Sequence, residues 1–60
     1  MKLERALSII GLDRLPKDEM ELNAVYRDLA KKLHPDTGGS EAAFQELGEA
    51  VEYLKRALFL

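Results

Sequence analysis

The sequence has no cysteine, no tryptophan and a single histidine, His34. Without thiols, neither disulfides nor thiolate zinc sites can staple the chain. One imidazole does not make a structural metal site, so no metal and no cofactor is expected. No apolar run comes near the ~20 residues of a membrane span. The opening Met1-Lys2-Leu3-Glu4-Arg5 puts charge where a secretory leader needs its apolar stretch, and secretion is not expected. Nine basic against eleven acidic side chains leave a net charge of −2, with no obvious basic face for a nucleic acid. A cytoplasmic, monomeric protein fits this set of absences.

What is present is helical pattern. The 60 residues make one domain, 47% of them hydrophobic. A chain this short buries only about 60% of the surface its unfolded form exposes, so packed apolar faces must carry marginal stability. Three blocks show helical period and none shows strand-like alternation. Leu3, Ala6, Leu7 and Ile10 set a short first helix over about 2–10, stopped at Gly11. Leu22, Val25, Tyr26, Leu29, Ala30 and Leu33 set a second over about 17–33. There Pro16 suits the first turn, Asp18 with Glu21 has the form of a capping box, and Pro35 ends the helix at His34. Ser40 caps a third, over about 41–58, with Ala43, Phe44, Leu47, Ala50, Val51, Leu54 and Leu58 on one stripe. Gly48 inside it is either a neutral exposed position or a point where another helix comes close.

The expected fold is all-α: an antiparallel hairpin of the second and third helices, with the short first helix packed across it. Its core joins Tyr26, Leu29 and Leu33 to Phe44, Leu47 and Val51. The hairpin tip, residues 34–39, reads His34-Pro35-Asp36-Thr37-Gly38-Gly39. Pro35 fixes its own backbone angle and restrains His34, while Gly38 and Gly39 let the chain reverse. Singly, a histidine at a helix end and an aspartate in a glycine-rich turn are commonplace. Together, as a tripeptide between two amphipathic helices, they are rare, arising by chance at about one in several thousand positions.

On these residues the sequence resembles the J-domain of DnaJ-type co-chaperones, in which His-Pro-Asp joins helices II and III of a four-helix domain. The stretch Leu22 to Asp36 is similar to that family's helix II and loop, and Phe44-Gln45-Glu46-Leu47-Gly48-Glu49-Ala50 to its helix III. Leu7 to Leu12 is similar to the end of helix I. The resemblance implies a domain that binds a DnaK-type, seventy-kilodalton heat-shock chaperone and triggers its ATP hydrolysis, without being an enzyme. Carried over by position, His34, Pro35 and Asp36 are the trigger. Tyr26, Arg27 and Lys31 form the exposed docking face, with Lys32 at its flank. Tyr26 carries two compatible readings, a half-buried core ring and a contact for the partner.

The chain departs from the family at several positions. Asn23 and Asp28 stand where many members carry basic residues, which weakens electrostatic steering. Val51 stands where an aromatic is common, and helix IV is expected to be missing after Leu58-Phe59-Leu60. The lost charge motivates an alternative: a J-like interaction domain that keeps the fold but does not stimulate a chaperone. An acid–base enzyme using His34 and Asp36 is disfavoured, because no nucleophile or orienting group accompanies them and Pro35 points them apart. A nucleic-acid binder resting on Arg27, Lys31 and Lys32 is disfavoured by Asp28 among them.

Overall fold

The computed structural model describes residues 1–60, and all its regular structure is helical. The first apolar stripe forms α1 (Leu3–Ile10), with Ala6 and Ile10 buried. It ends in a Schellman motif: Gly11 takes φ +76°, its N–H donates to the Ser8 carbonyl, and the Leu12 N–H donates to Leu7. The left-handed residue is a glycine because any Cβ there would be strained.

The second stripe forms α2 (Glu19–Leu33). It starts two residues later than the spacing predicts, because Asp18 rather than a residue near Pro16 is the cap. The Asp18 carboxylate accepts the Glu21 N–H at 2.8 Å. Glu21 in turn holds the connector. Its carboxylate takes the Arg14 guanidinium through two bonds, 2.8 and 3.2 Å, and the Lys17 N–H at 2.9 Å. The Arg14 bonds first, then the Lys17 N–H, lower the Glu21 pKa from 4.5 to about 2.

A carboxyl whose folded pKa is depressed contributes stability above its unfolded value, and loses it as pH falls toward the folded one. The clamp's share is therefore present above pH 4.5 and disappears toward pH 2. In thermal melts followed by circular dichroism, Arg14→Met is expected to flatten the fall in Tm across that window. Equal falls in the variant and the wild type would remove the clamp from the account.

The third stripe forms α3 (Glu41–Phe59), capped by Ser40, whose hydroxyl accepts the Ala43 N–H. Helices α2 and α3 make the hairpin, while α1 rests mainly on α3 and only lightly on α2. The fully enclosed core is Ala6, Ile10, Leu22, Leu47, Ala50, Val51 and Leu54. Val51 thus serves as core without the aromatic ring common at its position. Tyr26, Leu29 and Leu33 pack against this core half-buried. Phe44, expected among them, does not join it and sits beside the hairpin tip. No helix is long and apolar enough to cross a membrane.

At Gly48 a Cβ would meet nothing within 4 Å. The glycine therefore leaves a dent, lined by Tyr26 of α2 among others, rather than a tight contact. Gly48→Ala removes a mid-helix penalty of about 1 kcal/mol. A Tm rise of ~4–8 °C follows for a domain of this size. A fall in Tm would mean that the dent is not open.

Candidate functional site

The tip of the hairpin is built by the loss of one backbone donor. Pro35 has no N–H, so α2 stops at Leu33 and His34 becomes its extended C-terminal cap, φ −62° and ψ 135°. Pro35–Thr37 then form one 3₁₀ turn. Two backbone donors converge on the His34 carbonyl, the Thr37 N–H and the Gly39 N–H at 3.0 Å, and the Thr37 hydroxyl oxygen lies 2.9 Å from it. Gly38 closes the turn at φ +86°, its N–H donating to Pro35. The two glycines, treated alike in the sequence, have different tasks. Gly38 supplies a left-handed backbone, whereas Gly39 passes so close to Leu33 that a Cβ would overlap that residue's backbone.

Within the turn, the His34 Nδ1 accepts the backbone N–H of Asp36 at 3.1 Å. An accepting Nδ1 places the proton of the neutral ring on Nε2. The ring is also held edge-on by Phe44, with centroids 5.1 Å apart and planes at 68°. Sequence reasoning missed this contact by assigning Phe44 to the core. The signal available was its place one turn into α3, level with the hairpin tip.

The expectation that Pro35 points His34 and Asp36 apart needs correction. The Asp36 carboxylate lies 3.6 Å from Nδ1, beyond a hydrogen bond to it, while the backbone N–H of the same residue makes one. The aspartate side chain is 87% exposed and the histidine 44%, so the turn offers a free carboxylate beside a half-covered ring.

Arg27, Ala30 and Lys31 fall at i, i+3 and i+4 and share one face of α2, with His34 at its C-terminal cap. With Asp36, Thr37 and Phe44 they line a shallow, open concavity of about 420 Å³. Ala30, Thr37 and Phe44 were not foreseen as its walls. Lys32 is exposed but lies outside it. Tyr26 is outside too, in a second dent of about 280 Å³ with Gly48, Val51, Glu52 and Lys55. No intramolecular ion pair engages Arg27, Lys31 or Lys32. Asn23 is half-buried and Asp28 exposed on the same helix. No cluster of metal-ligating side chains is present.

Residues 7–57, which hold His-Pro-Asp and all but the last residues of the hairpin, match the DnaJ domain family. Three relatives place the chain further. Chaperone protein DnaJ of Lactobacillus acidophilus is 39% identical over 57 residues, covering 90% of this chain and 15% of its own. Chaperone protein DnaJ of Erysipelothrix rhusiopathiae is 45% identical over 49 residues, 77% of this chain and 13% of its own. DnaJ protein homolog 1 of Drosophila melanogaster is 43% identical over 58 residues, 85% of this chain and 17% of its own. No solved structure matches. The chain belongs to the DnaJ domain family. It spans less than a fifth of the length of these relatives.

Proposed function

We propose that this chain is a J-domain co-chaperone module: it docks on a DnaK-type heat-shock chaperone in the cytoplasm and stimulates ATP hydrolysis there. The observation that carries the proposal is the rigid turn in which His34 Nδ1 holds the Asp36 N–H while the aspartate carboxylate stays exposed. Such a turn loses little entropy on docking. Its carboxylate suits a partner arginine, which can take it through two parallel bonds. Arg27 and Lys31 beside it, with Lys32 and the Tyr26 ring at the edges, supply the rest of the docking face. Their unpaired cations are available to an acidic surface, and the contact weakens as salt screens it.

The exposed carboxylate of Asp28, close to Lys31 and Lys32 on α2, favours a second reading. There the chain is a J-like interaction domain that holds the fold and leaves the chaperone unstimulated. The deciding experiment is single-turnover ATP hydrolysis by a DnaK-type chaperone with and without this chain. A rise in rate that His34→Gln and Asp36→Asn both remove supports the proposal. No rise from the wild-type chain supports the second reading.

A further inference from the structure

We infer that Thr37 is the positioning residue of the His34-Pro35-Asp36 turn, through a hydroxyl that replaces the backbone donor Pro35 lacks. In a continued helix the Lys31 carbonyl would accept from the N–H of residue 35. Residue 35 is proline, so that carbonyl is left without its helical partner. The Thr37 Oγ1 lies 2.6 Å from it and donates. The same oxygen is 2.9 Å from the His34 carbonyl, which already receives two backbone N–H groups at 3.0 Å. A hydroxyl has one proton, and the shorter contact to the carbonyl without another donor is where it goes.

The turn is thereby anchored at two points. His34 Nδ1 holds the Asp36 N–H within it, and Thr37 ties its far end back to the last turn of α2. The anchor sits on Lys31, one of the two cations that flank the exposed carboxylate, so it fixes the carboxylate relative to them. Serine keeps this donor. Valine keeps the shape and removes it, which leaves Asp36 able to reach the same partner atoms but only after being ordered.

The consequence is confined to docking and rests on the chaperone reading proposed above. Thr37→Val is expected to raise the chain concentration for half-maximal ATPase stimulation about fivefold, the scale of ordering one side chain, with the plateau rate kept. Thr37→Ser is expected to restore the wild-type value. A residue that merely held the fold together would lower helicity and affect both variants through stability. A residue of the trigger itself would lower the plateau.

The same samples carry a readout that does not depend on a chaperone: amide exchange at Asp36 and the ¹⁵N shift of His34 Nδ1 by NMR. Faster Asp36 exchange and a shifted Nδ1 in the valine variant, both reversed in the serine variant, support the tether. Unchanged exchange and shift in Thr37→Val would overturn it, whatever the ATPase does. If the wild-type chain gives no stimulation, the chaperone reading fails and the NMR comparison decides the tether alone. An unchanged half-maximal concentration in Thr37→Val, against a stimulating wild type, would overturn the positioning role.

Discussion

Gly39→Ala is expected to destabilise the domain by about 3 kcal/mol, the sum of an overpacked contact and a distorted backbone. The added Cβ would overlap the carbonyl and Cα of Leu33. Those atoms are backbone at the end of α2 and cannot swing away as a side-chain tip would. Relief requires the loop to open, which breaks the bond from the Gly39 N–H to the His34 carbonyl. A domain of this size rarely holds more than ~3–5 kcal/mol in total. At ~4–8 °C for each kcal/mol, the melting midpoint falls by roughly 12–24 °C. Thermal melts by circular dichroism distinguish this from a general intolerance of alanine, because Gly48→Ala is expected to move the midpoint the other way. Coincident melts for Gly39→Ala and the wild type would mean that the loop does not pass Leu33 this closely.

That contrast marks where the sequence is legible. Three stripes at helical spacing, with Gly11, Asp18, Ser40 and Pro35 as stops and caps, were enough to read the all-helical fold, because each signal is local. The caps act through their own backbone neighbours, as Asp18 does on the Glu21 N–H. The start of α2 was misplaced because Pro16 and Asp18 both suit a helix start, and nothing local ranks them. Phe44 was misassigned for a different reason: its place on the apolar stripe says which way it faces, not that the hairpin tip lies there.

The same limit divides the candidate site. His34, Pro35 and Asp36 stand out as a tripeptide, whereas Arg27 and Lys31 come only from the resemblance to J-domains. Thr37 does not stand out, because its role depends on where a proline has removed a donor from the Lys31 carbonyl. That pairing, a missing N–H and a hydroxyl two residues later, is readable only after the turn geometry is known. Gly38 and Gly39 likewise look equivalent until one shows a positive φ and the other a close backbone neighbour. Steric need is a property of what lies across the turn, and sequence carries it poorly.

If the chain acts as the co-chaperone module proposed above, Asp36→Asn is expected to reduce ATPase stimulation of a DnaK-type chaperone to its unstimulated level while leaving the turn intact. The substitution keeps the backbone N–H that His34 Nδ1 holds, and it changes the side chain's volume little. What it removes is the charge. Losing one partner of a desolvated charge pair costs about 2–5 kcal/mol at an interface, or roughly 30-fold or more in affinity. His34→Gln acts earlier in the chain of causes, since it removes both the Nδ1 acceptor and the ring that Phe44 supports. The Asp36 carboxylate then has no fixed place from which to bind. Two changes that disable one unit do not add, so the double variant is expected to match His34→Gln alone. Helicity by circular dichroism should be unchanged in all three, because none of these side chains lies in the enclosed core. Stimulation that survived both single changes would detach the trigger from this loop. If the two losses instead added independently in binding free energy, His34 and Asp36 would contact the partner separately, and the turn would not be the unit that acts.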